Sequence, residues 1–142
     1  MDEQLPSEIT QGATIQGNEY GWSVSALPHA LQKAPDLGYG CLGGQFQFRF
    51  KDATCEMYWL SADSNERRDN EAWLEYCRRS CSEVLSGFQN LVETVDFRKQ
   101  GESWAQAADA FAEGVDPRSV LVFVAYFVDE AEQEGLARFR TK

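Results

Sequence analysis

The sequence predicts an α+β fold: a small antiparallel sheet built on a hairpin over residues 45–60, packed against a long helix over about residues 70–95 and against C-terminal helices. Three observations carry this expectation. Polar and aromatic residues alternate from Gln45 to Lys51 and again from Cys55 to Leu60, the period of a strand with one buried face. Trp73, Leu74, Cys77, Cys81, Val84, Leu85, Phe88, Leu91, Val92 and Val95 recur at spacings of one, three and four, the period of a helix with one apolar stripe. Hydrophobic residues make up 43% of the chain and aromatic ones 13%, more than a solvated, disordered chain carries, so both stripes should meet in a packed core.

The hairpin has a definite expected register. With Lys51-Asp52-Ala53-Thr54 as the turn, Phe50 pairs with Cys55, Phe48 with Met57 and Phe46 with Trp59, all six on the core side. Arg49 then lies opposite Glu56 and Gln47 opposite Tyr58 on the wetter side, the first an ion pair. The long helix would measure about 39 Å at 1.5 Å per residue, with Gly87 as a point of interruption.

Residues 1–18 are polar with isolated Leu5, Ile9 and Ile15, and residues 1–8 are expected to fray. Segments near Ile15 and Trp22 can extend the sheet. A short helix follows in SALPHALQKAP, with Ser25 as cap, Pro28 in the first turn and Pro35 at the end. In ESWAQAADAFAEG, Trp104, Ala107, Ala108 and Phe111 share a helical face that Gly114 can close. The stretch from Arg118 to Val128 is rich in β-branched and aromatic residues, yet Asp116-Pro117 is a good helix start and the acidic continuation reads helical. It is read as a buried helix. No repeat or linker divides the chain, so residues 1–142 are expected to form one domain.

Composition narrows the function classes. Thirteen basic against 23 acidic side chains give a net charge of −10, which repels phosphate backbones and anionic lipid; neither nucleic acid nor membrane is an expected partner. The longest apolar run, Val120 to Val128, is nine residues against the roughly twenty that cross a bilayer. The acidic, polar start MDEQLPSEIT has no secretory character, and the expected location is the cytoplasm, where Cys41, Cys55, Cys77 and Cys81 stay reduced.

Chemistry is hard to find. Cys77 and Cys81 lie within an apolar helical stripe, where a thiol packs as a small hydrophobe, so no zinc site is expected. Arg78 and Arg79 point away from Cys77, leaving little to activate it. His29 is the only histidine, which excludes a multi-histidine metal site. Gly38, Gly40, Gly43 and Gly44 precede a strand, whereas phosphate-cradling loops lead into a helix N-terminus. No catalytic residue, metal ligand or cofactor is assigned.

The distribution of charge is more informative. Between residues 102 and 134, eight acids stand against Arg118 alone, a balance of −7, while residues 64–81 hold four acids and four bases. Glu113, Asp116, Asp129, Glu130, Glu132 and Glu134 are the candidate docking residues for another, basic protein. The expected function is a non-enzymatic protein-binding module, of the character of an acidic inhibitor or immunity protein that neutralises a basic partner such as a toxin. One alternative is a small enzyme or ligand carrier with a pocket between hairpin and helices, using Arg49, Glu56, Tyr58 and one thiol. Another is an accessory subunit of a larger complex.

Overall fold

A computed structural model describes residues 5–140, with side chains as far as residue 136. Of the segment expected to fray, residues 1–4 lie outside the described residues. Ser7–Thr10 form a helical turn, α1, whose Ile9 is fully buried, and the Ile9 carbonyl accepts the Trp22 indole N–H at 2.8 Å.

Strands β1 (Ala13–Gln16) and β2 (Glu19–Ser23) form a tight hairpin, with Gly17 at φ 65° in its two-residue loop, a conformation that glycine adopts without strain. Helix α2 (Leu27–Lys33) continues into a 3₁₀ turn, Ala34–Leu37. Ser25 does not cap α2: the chain turns earlier, and the Ser23 hydroxyl accepts the Ala26 N–H at 3.2 Å. Strands β3 (Gly40–Phe50) and β4 (Ala53–Asp63) are the expected hairpin, longer than its alternation suggested. Helices α3 (Trp73–Thr94), α4 (Phe97–Gly101) and α5 (Ala105–Ala112) follow, then a 3₁₀ turn at Pro117–Ser119, strand β5 (Leu121–Val128) and helix α6 (Glu130–Arg140). The five strands form one antiparallel sheet in the order β1-β2-β5-β3-β4. The fold is α+β as the two periodicities required.

Residues 118–128 are where the sequence reading fails. Asp116-Pro117 does start a helical turn, but it lasts three residues, and Leu121–Val128 is the central strand of the sheet. A strand flanked on both sides and packed beneath helices reads as an unbroken apolar run, which periodicity cannot separate from a buried helix. The β-branched and aromatic content decided the outcome.

The hairpin register is also displaced. The turn is Lys51-Asp52 alone, so Phe50 pairs with Ala53, Phe48 with Cys55 and Phe46 with Met57, two residues from the expected pairing. A slip of two leaves every side chain on its own face, which is why Phe46, Phe48, Cys55 and Met57 are buried regardless. Trp59 is not. Beyond Met57 the ladder skips Tyr58 to Leu60 and resumes at Gln45 opposite Ser61, and this bulge turns Tyr58 and Trp59 out in succession. Trp59, 54% exposed, stacks on Trp104 with centroids 6.1 Å apart and donates its indole N–H to Gln100 at 2.7 Å.

The core lies between one face of the sheet and the helices. Phe46 sits against Phe88 of α3, Phe97 of α4 and Phe123 of β5, with centroids 5.5, 5.0 and 4.9 Å away. Phe48 meets Phe111 of α5 edge-on at 5.2 Å. Helix α3 runs unbroken through Gly87, because that glycine is a point of close approach: a Cβ there would stand 2.9 Å from the Ala62 Cβ of β4. The α3 stripe is rotated from the expected one, with Leu74 at 44% exposure and Tyr76 and Ser80 buried. Ser80 earns its place by accepting the Cys41 N–H at 3.1 Å. Gly114, at φ 106°, closes α5, and the Val115 N–H returns to the Ala110 carbonyl at 3.0 Å. Among the described residues no helix is long and apolar enough to cross a membrane.

Candidate functional site

Every helix contact named above falls on one face of the sheet. The opposite face carries Thr14, Gly21, Gln45, Gln47, Arg49, Glu56, Tyr58, Val122, Val124 and Tyr126, the residues of the other parity in each strand. Tyr58 is 67% exposed and Tyr126 39%.

Arg49 organises this face. It belongs to β3, yet its Nη1 donates to the Thr14 carbonyl and hydroxyl on β1 at 2.9 and 3.2 Å, and its Nη2 to the Glu19 carbonyl at 3.0 Å. Three strand spacings separate β3 from β1, about 14 Å in a flat sheet. An arginine side chain cannot span that, so the sheet is strongly curled toward this face. Gly21 makes the crossing possible, since a Cβ there would lie 2.9 Å from the Arg49 Cζ. The Arg49 Nε donates to the Gln47 Oε1 at 2.7 Å, which satisfies the oxygen of that buried amide. Burial lowers the Arg49 pKa, with Glu19 opposing the shift, and the carbonyls around the guanidinium suit its cationic form. Arg49 is therefore a strut between strands.

The two tyrosines lie beside carboxylates. The Tyr126 hydroxyl donates to Glu19 Oε2 at 2.8 Å and accepts from Gln45 Nε2 at 3.3 Å. Burial, then the hydrogen bond to Glu19, raises its pKa, while the hydrogen bond to Glu56 and then the charge of that carboxylate raise that of Tyr58. Both phenols stay neutral at pH 7, Tyr126 held between Glu19 and Gln45 and Tyr58 exposed beside Glu56.

Of the sequence-derived candidates, Arg49, Glu56 and Tyr58 do share a surface, but it faces away from the helices and the thiols, so the pocket expected between hairpin and helices is not formed by them. The Arg49–Glu56 pair is absent because Arg49 stands opposite Thr54, and Glu56 opposite Gln47. The six acids divide into two groups. Glu113 and Asp116 precede β5 and Asp129 to Glu134 follow it, and its eight residues separate the groups by about 26 Å. Asp116 caps the 3₁₀ turn by accepting the Arg118 N–H at 3.1 Å. Asp129 and Glu132 cap α6 reciprocally, each carboxylate accepting the other's backbone N–H at 2.9 Å. Glu130 and Glu134 lie 3.2 and 3.9 Å from Arg67, which also stacks over Trp73. Arg67 belongs to the loop whose charges looked self-balanced, and no spacing in the sequence joins it to α6.

All four cysteines are buried and unpaired. Burial pushes the Cys41 thiol up to about 12 and Cys77 to about 11, and raises Cys55 and Cys81 as well. None is a thiolate at neutral pH. His29 is exposed on α2. Among the described residues no three His, Cys, Asp or Glu side chains converge as metal ligands.

The strongest ionic site joins loop 64–72 to α3. Arg79 forks onto Glu71 at 2.6 and 2.8 Å, reaches Glu83 at 2.9 Å, and donates to the Asn65 and Glu66 carbonyls at 3.3 and 3.1 Å. A cleft of about 470 Å³ opens beside it, but the guanidinium is fully used in holding the loop. The Arg79 hydrogen bond draws the Glu71 carboxyl down to about 2, from an ordinary 4.5. A carboxyl so depressed contributes stability that is fully present above about pH 4.5 and is lost as pH falls through about 2. Glu71→Gln is expected to be less stable at pH 7 and to show a flatter decline between pH 4.5 and 2, read from urea midpoints at each pH. Parallel curves for parent and variant would remove Glu71 from the acid limb.

Glu19, Gln45, Gln47 and Tyr126 were not anticipated as members of one surface. Tyr126 was hidden by the helix reading of β5, and the polar residues of Gln45 to Arg49 were the available signal, since they alternate with the buried phenylalanines. Comparisons with known proteins return no matching family model, no matching curated protein and no matching solved structure.

Proposed function

We propose that the chain is a non-enzymatic binding module that engages a basic protein on the helix-free face of its sheet. The observation behind this is the grouping of exposed tyrosines with acids: Tyr58 and Tyr126 stand beside Glu56 and Glu19, while Arg49, next to Glu19, makes its hydrogen bonds to carbonyls, a hydroxyl and an amide. Tyrosine side chains, with two χ angles, lose little entropy on docking and supply contact area with a polar tip. The net charge of −10 favours rapid encounter with a cationic partner. This moves the docking surface from the acids of residues 113–134, two of whose three α6 members are engaged by Arg67, to the open sheet. The finer reading is cytoplasmic inhibition, in which the acidic surface covers the cationic cleft of a partner such as a toxin.

The test is site-directed photo-crosslinking in the native lysate. A benzophenone amino acid at position 58 should capture a basic protein, and the same group at the exposed Glu93 position on α3 should not. Capture of equal intensity at both positions, or of acidic proteins alone, would refute the open-face reading.

A further inference from the structure

Strand β5 outruns its neighbour. The β2–β5 ladder stops at Gly21 opposite Val124, the β1–β2 hairpin turns back at Gly17-Asn18, and β5 continues to Val128 with a strand partner on its β3 side alone. The space past the end of β2 is a cleft of about 350 Å³. Tyr20, Leu42, Val124 and Phe127 contribute apolar wall, Glu19 and Glu132 stand in the lining, and no lysine or arginine is among the described lining residues; Arg49, which donates to the Glu19 carbonyl from the open face, stands behind it. Each carboxylate has one oxygen engaged, Glu19 Oε2 by the Tyr126 hydroxyl and Glu132 Oε1 by the Asp129 N–H. Among the described residues their second oxygens accept no hydrogen bond.

We infer that this cleft receives an arginine side chain of the partner, its aliphatic stem against Leu42, Val124 and Phe127 and its guanidinium between Glu19 and Glu132. An apolar channel flanked by two carboxylates matches the two halves of that side chain, and the planar fork of the guanidinium can meet two acceptors at once. Charge complementarity selects the occupant: the lining is acidic in a chain of net charge −10, so an anionic side chain is repelled and a neutral apolar one offers no donor to the second oxygen of either carboxylate. Glu19 also holds Tyr126, which places the cleft at the rim of the open face. The inference rests on the proposed basic partner and names the residue by which that partner is anchored.

The probe is N-acetyl-arginine amide, followed by amide chemical shifts of the whole protein, with the citrulline counterpart as a neutral isostere. Arginine amide should shift Glu19, Tyr20, Val124, Phe127 and Glu132 saturably, and citrulline amide should not. Glu19→Gln with Glu132→Gln, which keeps both existing hydrogen bonds, should weaken arginine binding about fivefold or more. Equal binding of arginine and citrulline amides would overturn the inference, as would shifts centred on Tyr58 and Glu56. A dimer in sedimentation that dissociates in the double variant would assign the cleft to a second copy of this chain and likewise overturn it. The two proposals fail separately: crosslinking at position 58 with no arginine response in the cleft removes this inference alone, and the converse result removes the open-face reading alone.

Discussion

Phe46→Ala is expected to lower the free energy of unfolding by about 3–5 kcal/mol, the range for emptying an aromatic site in a packed core. Phe46 is where the sheet, α3 and α4 come together, with rings from three elements within 5.5 Å of its own. Those rings are set by different backbones and cannot all move into the space, so the cavity should persist. Urea denaturation measures the effect. Tyr58→Ala is the control on the opposite face and should stay within about 0.5 kcal/mol of the parent. A Phe46→Ala protein as stable as that control would mean that the core is assembled elsewhere.

Gly44→Ala is expected to be the next most damaging change, at or beyond the upper end of the about 1–3 kcal/mol that overpacking costs. A Cβ at Gly44 would lie within contact-forbidden range of the Val124 carbonyl and 2.6 Å from the Phe123 ring. The carbonyl belongs to the neighbouring strand and has no rotamer in which to retreat. Relief requires β3 and β5 to part at the centre of the sheet. The readout is the urea midpoint together with amide exchange at Ala125 and Val124, which should quicken. Gly38→Ala makes a different comparison, because Gly38 has open space but φ 85°, so it suffers backbone strain without a clash. If Gly44→Ala proved the milder of the two, close strand approach would not be what this glycine provides.

The parts of the fold legible in the sequence were those with a one-sided pattern. Phe46, Phe48, Cys55 and Met57 alternate with polar residues, and Cys77, Cys81, Val84 and Phe88 fall on one helical stripe, so each set announces both its element and its buried face. Strand β5 is apolar on both sides and announces neither. The register slip had a comparable cause: Lys51-Asp52 and Lys51-Asp52-Ala53-Thr54 are both acceptable turns, and the two registers bury the same face. The functional surface was least legible, since Tyr126 and Glu19 meet through a sheet order that local pattern does not encode, and Arg67 reaches α6 from a loop more than sixty residues earlier.

The position of β5 also governs how the chain can reach its native state. The last strand in sequence is the middle strand in space, so the β1–β2 and β3–β4 hairpins are complete locally yet have nothing between them until residues 121–128 arrive. On the ribosome the phenylalanines of β3 must wait through some seventy further residues for Phe123, with two unpaired strand edges open to other chains meanwhile. Closing so many non-local pairings at once makes for slow folding, with the sheet forming in a late, all-at-once step after synthesis. A nascent chain released before Leu121 would carry both hairpins and most of the helices, and no way to join them.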